Sequence, residues 1–221
     1  MGNYRWDFSS VFLPPEFWLK GAAVTMAYAV ATTLAGCLVG MVLGSALLAR
    51  SRFIVLPIRG YVQLFRCTPL LVQVVWFYYA LPIVLGINLP SWLAAGVGLS
   101  LYMGAFTTEI FRAGVTSIEA GQWQAGRALG LRHLQLLRLV ILPQAAKRMV
   151  PPLVSQSVLQ LKNTALLSVV AIPELMHRSA VMVSETFRPL EVYTGVAAMY
   201  FLLLYPLVRL SQRLEIRVDV H

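Results

Sequence analysis

Among the polar side chains in the apolar run around residue 160 are Gln156, Gln160, Asn163, Thr164 and Ser168. On a helix they fall within one broad stripe. Lys162 stands among them, about 120° off that stripe. Amides and hydroxyls in an apolar run can replace the hydration that a polar solute loses in hydrocarbon. Lys162 can meet a carboxylate. Thr68, Pro69 and Gln73 form a second polar group in another apolar run. Pro69 has no N–H and breaks the helix ladder there, which frees backbone carbonyls beside Thr68. Arg66, Pro69, Gln73 and Phe77 share a face if the helix continues past the break.

The chemistry these residues support is binding and passage, not bond-making. No Ser/His/Asp set and no paired carboxylates stand out along the chain. His133 and His177 have no second ligand at metal spacing. No catalytic or metal site is expected. The substrate-binding candidates are Gln160, Lys162, Asn163, Thr164, Thr68, Pro69 and Gln73. Each has a plainer alternative. Lys162 can form an ion pair with Glu109, Gln73 can bond a neighbouring helix, and Thr68-Pro69 can be a packed kink. Glu109 and Arg112, three residues apart, are expected to pair on one helix face.

The elements that must carry these residues follow from composition. The chain has 221 residues, 58% hydrophobic and only 12% charged, with mean hydropathy +0.72. A soluble domain carries about 25% charged residues. Residues 21–49 and 67–108 contain no charge at all. A helical span needs roughly 20 apolar residues. The expected fold is therefore an all-α polytopic membrane protein, one transmembrane domain over 1–221. Its spans are expected at about 20–49, 58–85, 91–112, 149–172 and 191–210. Pro82, Gly86, Asn88 and Pro90 mark the turn between the second and third. Cys37 and Cys67 fall in membrane segments, so no disulfide framework is implied.

Charge gives orientation. Arg50, Arg52, Arg59, Arg66, the basic residues of 112–148, and Arg209, Arg213 and Arg217 fall on one side. Arg5, Lys20, Arg178 and Arg188 fall on the other. The positive-inside rule places the N-terminus outside and the C-terminus in the cytoplasm. Trp6, Phe8, Phe12, Phe17 and Trp18 read as an outer interfacial belt, with Pro14-Pro15 turning the chain into the first span. The net charge of +9 is split among membrane-flanking segments. It points to anionic lipid and not to nucleic acid.

The cytoplasmic loop, 113–148, is the second route to function. Residues 119–129 are helix-compatible, Gly130 interrupts them, and 132–139 resumes. Leu131, Leu134, Leu137 and Val140 recur every third residue, giving an amphipathic helix that Pro143 is expected to close. A helix, a glycine turn and a second helix make a rigid knob, or else an amphipathic loop lying on the membrane. The chain has no GxxxxGK[ST], so ATP, if used, is bound elsewhere.

This loop resembles the coupling loop of ABC-type importer permeases, whose pattern is EAA, three residues, Gly, nine residues and I-x-L-P. The match is Gln124-Ala125-Gly126, then Gly130, then Val140-Ile141-Leu142-Pro143. Gln124 stands for the Glu and Gly126 for the second Ala. LFRCTPLLVQ (64–73), TTEIFRAGVTSIEAGQWQAGRALG (107–130) and LKNTALLSVVAIPEL (161–175) resemble blocks of the polar amino-acid uptake permeases. The resemblance covers about 18–215. It implies a five-span core with a cytoplasmic helical coupling loop, in a bacterial inner membrane. Gln124, Ala125, Gly126, Gly130, Leu142 and Pro143 would face an ATPase. The implied partners are two cytoplasmic ATP-binding subunits, a second permease chain and an extracytoplasmic amino-acid-binding protein. This chain would hold no cofactor, and ATP and Mg would sit on the partner ATPase. The competing class is an autonomous channel or an intramembrane enzyme.

Overall fold

The computed structural model describes residues 4–9, 15–49, 51–87 and 89–219, with side chains up to Leu214. In chain order the helices are α1 (Pro15–Ala46), α2 (Arg52–Cys67), α3 (Leu70–Leu85), α4 (Ser91–Thr116), α5 (Ala120–Ala128) and α6 (His133–Leu136). A π turn (Leu137–Ile141) leads into α7 (Leu142–Asn163), and a 3-10 segment (Thr164–Val170) follows. The chain ends with α8 (Leu175–Thr186) and α9 (Pro189–Asp219). No strand occurs among the described residues, and the fold is all-α.

Small residues place α1. Gly21, Thr25, Ala29, Thr32, Gly36, Gly40 and Gly44 recur every three or four positions and are buried. Lipid offers no hydrophobic drive for helix association, so close backbone approach must supply it. A Cβ on Gly36 or Gly40 would overlap Met103 or Thr107, and one on Gly44 would stand 2.6 Å from Phe111 Cβ. Thr107 Oγ1 donates to the Gly36 carbonyl at 2.7 Å. Gly36 meets Met103, Gly40 meets Thr107 and Gly44 meets Phe111, so residue numbers rise together and α1 and α4 run parallel. The chain between them must therefore return once, and α2 and α3 do this jointly.

α7 runs against both. Its Met149 meets Gly114, and its Gln160 bonds Leu99. α9 in turn opposes α7: the Ser155 and Ser211 hydroxyls are 2.8 Å apart, and Tyr200 donates to Glu174 at 3.2 Å. By length and composition, α1, α4 and residues 189–214 of α9 are 3 helices able to cross a membrane singly. Two bent pairs, α2 with α3 and 133–170 with α8, bring the count to 5 when each is one span.

The structure corrects several local expectations. The second span is not one helix with a shared face. α2 and α3 meet at 109°, so Arg66 lies on a different axis from Gln73 and Phe77. Pro82 sits inside α3, and the turn is made at Gly86, in the left-handed region at φ 64°. Pro143 does not close the loop helix: it follows the π turn at the start of α7, and the helix runs on through it. The expected fourth span is α-helical only to Asn163 and then tightens to 3-10. What reads as an outer loop after residue 172 contains α8. Glu174 caps it by accepting from the N–H groups of Met176 and His177 at 2.8 and 2.6 Å. Trp18 is no interfacial anchor, since it is buried with Leu175, Met182, Val192 and Val196. The expectations for Phe12, Pro14, Arg50, Asn88 and the Arg217 side chain lie outside the described residues.

Candidate translocation and coupling sites

The stripe on α7 turns into the bundle, as unsatisfied polar atoms in hydrocarbon require. Gln160 is fully buried. Its Nε2 donates to Thr32 Oγ1 on α1 at 2.9 Å and to the Leu99 carbonyl on α4 at 3.0 Å. One amide thus ties three helices together. Thr164 is also fully buried and donates to the Leu161 carbonyl at 2.7 Å. Gln156 is buried as well. Asn163 is half-buried and faces the Tyr102 hydroxyl. Lys162 is exposed on another face and has no ion pair among the described residues. The alternative that pairs it with Glu109 is not realised. Glu109 binds Arg112 instead, at 2.7 Å.

Gln73 caps the broken helix. Its Nε2 donates to the carbonyls of Phe65 and Thr68 at 2.9 and 3.0 Å, and to Thr68 Oγ1 at 2.6 Å. These are the carbonyls that Pro69 leaves without a helical partner. Thr68 Oγ1 donates back to the Leu64 carbonyl at 2.7 Å. Around this elbow lies a cavity of about 280 Å3, walled by Phe65, Val72, Trp76 and Phe77. Thr68 and Gln73 line it. The Oε1 atoms of Gln73 and Gln160 and the Nε2 of Gln156 are buried without a partner. In a low-dielectric interior such atoms favour water or a polar solute.

The structure therefore divides the sequence-derived set. Thr68, Pro69 and Gln73 form one unit at the elbow. Gln160 and Thr164 form another inside the bundle. Asn163 meets Tyr102, whose ring packs against both the Leu99 and the Phe65 clusters. Lys162 joins neither.

The loop folds into a helical hairpin. α5 ends where the Leu131 N–H donates to the Gly126 carbonyl at 3.1 Å, and Gly130 takes φ 75°. That conformation is strained for any residue with a Cβ. Gln135 Oε1 accepts from the Arg132 N–H at 3.0 Å and starts α6. The Trp123 and His133 rings stack 6.1 Å apart across the hairpin. Leu136 seats on Gly126, where any Cβ would overlap its Cδ1. This explains why a glycine fits the second alanine position of the motif.

The core stripe of the hairpin also differs from the expected one. Leu134 is 73% exposed, while Leu136, Ile141, Ala145 and Met149 are buried. Their spacing is five, then four, then four. The π turn at Leu137–Ile141 inserts the extra residue. Gln124, Ala125, Leu142 and Pro143 are exposed, as is Leu129 at 80%.

Comparisons with known proteins agree with this architecture. Residues 21–220 match the family described as binding-protein-dependent transport system inner membrane component. The chain is 31% identical over 217 residues to the glutamine transport system permease protein GlnP of Escherichia coli K12, covering 98% of this chain and 99% of that protein. It is 31% identical to the arginine transport system permease protein ArtQ of Bacillus subtilis 168, covering 95% of each. A crystal structure of an amino acid ABC transporter with histidines superposes with TM-score 0.89 and 30% identity, over 97% of this chain and 100% of that one.

Proposed function

This chain belongs to the binding-protein-dependent transport system inner membrane components, and from that premise we propose that it carries a polar amino acid across the membrane in an ATP-driven importer. It is a multi-pass inner-membrane permease subunit. The cargo is delivered by an extracytoplasmic binding protein, and two cytoplasmic subunits hydrolyse ATP with Mg. A second permease chain, identical or not, completes the path. The N-terminus lies outside and the hairpin lies in the cytoplasm.

The observation that carries this reading is the hairpin itself. Leu129, Leu134 and Leu142 are exposed on a rigid helix–Gly–helix knob. Gly126 and Gly130 fix its shape by close packing and by a left-handed turn. Exposed leucines beyond a membrane span call for a protein partner. Gln124, Ala125, Gly126, Gly130, Leu142 and Pro143 are the coupling residues. Membership in a binding-protein-dependent family argues against an autonomous channel or intramembrane enzyme.

Asn163 and the unpartnered amide oxygen of Gln73 support a polar site beside the elbow. Gln160 and Thr164 hold its wall, and Lys162 meets cargo or the second permease chain. Identity at 31% to both a glutamine and an arginine permease leaves the cargo at polar amino acids. The test is reconstitution. ATP hydrolysis by the assembled complex should rise with cargo-loaded binding protein, and uptake should require both. Uptake without the ATPase would overturn the reading.

A further inference from the structure

We propose that Arg66 and Arg148 hold the phosphate of an anionic lipid headgroup, in a cavity between the end of α2, the inner part of α4 and the start of α7. The cavity measures about 440 Å3 and is open on one side. Arg66, Glu109 and Arg148 contribute its charges, and Ile110, Ala113 and Pro152 its apolar floor.

The charges do not cancel. Glu109 is taken by Arg112, whose Nη2 and Nε donate to its Oε2 at 2.7 and 3.1 Å. Arg148 donates to the Ser117 carbonyl, which is neutral. The Arg66 guanidinium stands 5.6 Å over the Phe106 ring. Among the described residues, neither Arg66 nor Arg148 meets a carboxylate. Each guanidinium has five N–H donors in a planar fork suited to phosphate oxygens. Two such forks on exposed side chains, opening on one cavity, make it a suitable seat for an anion.

The setting selects a lipid. Arg148 and Ser117 lie where α4 and α7 meet the loop, at a membrane boundary. The proposal rests on the placement of the loop in the cytoplasm, where anionic headgroups concentrate. A floor of Ile110, Ala113 and Pro152 suits a glycerol and acyl stem, which a small soluble anion lacks. Ser117 caps α4 and leads into the hairpin, so the lipid would tie the bilayer to the coupling loop.

The test uses the full-length chain in mixed micelles, read by native mass spectrometry. Phosphatidylglycerol should be retained over phosphatidylcholine. Arg66→Gln and Arg148→Gln should each reduce that retention about tenfold, the weight of a charge-assisted bond pair. Arg59→Gln, on α2 outside the cavity, should not. Arg148→Lys keeps the charge but not the fork and should bind better than Arg148→Gln and worse than the parent chain, which separates charge loss from misfolding. Equal retention of the two lipids, or undiminished retention in both Gln variants, overturns the proposal. Displacement of the lipid by inorganic phosphate at equal concentration assigns the site to a soluble anion and also overturns it. Micelle binding depends neither on orientation nor on transport, so a wrong cargo or topology leaves this result standing.

Discussion

Leu136 fills the space that a side chain at residue 126 would occupy. The leucine is 1% exposed, and any Cβ on Gly126 would overlap its Cδ1. The two arms of the hairpin are thus locked by one leucine and one missing methyl group. Gly126→Ala should push Leu136 out of its seat and weaken cargo-stimulated ATP hydrolysis in the reconstituted complex. Overpacking of this kind costs about 1–3 kcal/mol. Leu136→Ala in the same chain should restore part of the coupling, because it vacates the clash. A double variant no better than Gly126→Ala would show that the seat does not govern coupling.

Gly130 acts by backbone and not by contact, since no atom lies within 4 Å of the position its Cβ would take. At φ 75°, a residue with a Cβ costs roughly 1–2 kcal/mol. Gly130→Asp should leave the protein inserted in the membrane and uncouple ATP hydrolysis from uptake. Gly130→Asn, which tolerates this region better, should be milder. Normal uptake by the Asp variant would refute the docking role of the turn.

Gln160 and Asn163 should separate stability from transport. Gln160→Leu removes two hydrogen bonds between α7 and its neighbours but also an orphaned carbonyl oxygen. The net loss should be about 1–2 kcal/mol, read as a lower melting temperature in detergent. Asn163→Leu should change that temperature little. It should abolish uptake or change which amino acids compete, while basal ATP hydrolysis persists. Leu159→Ala, on an exposed part of α7, is the control. Unchanged uptake and competition in Asn163→Leu would remove Asn163 from the path.

The parallel course of α1 and α4, with α7 opposed and α9 opposed to α7, gives an odd number of crossings when each bent pair counts once. Single cysteines at Ser9 and Gln212, in a background with Cys37→Ala and Cys67→Ser, should label from opposite faces of sealed vesicles. Gln212 should be reachable only from the cytoplasmic face. Labelling of both from one face would contradict the topology.

The sequence disclosed the polar stripe and the break at Thr68-Pro69, because both depend on residue type. It did not disclose the angle of the break. Proline says where the ladder fails, whereas direction is set by packing, here the Tyr61 hydroxyl on the Leu101 carbonyl at 2.6 Å and Phe65 on Ala105. The role of Gln73 was hidden for the same reason, since its partners are carbonyls exposed by that geometry. The π turn carried no sequence signal. A threefold leucine repeat concealed the five-residue step from Leu136 to Ile141. The ladder of Gly36, Gly40 and Gly44 was legible as a repeat of four, a known signature of close helix contact. Residue type alone does not say which helix that ladder faces. α8 was not among the expected elements, because at 12 residues it is too short to read as a span; Glu174 caps it.

The π turn has a consequence for how such a chain can change in length. From His133 the helix continues through Leu137–Ile141 and α7 without a break until Asn163. Hairpin and stripe are therefore points on one screw, and the wide turn absorbs the surplus residue so that Leu136 and Ile141 share a face. Deleting one residue within Leu137–Ile141 would leave a four-residue step, close the turn to an ordinary α turn and keep Gln160 in the bundle. Deleting one between Ile141 and Gln160, where no surplus is left, would rotate everything after it by about 100° and swing Gln160 out while Leu136 kept its seat. The wide turn is the one place on this screw where length can change without changing phase.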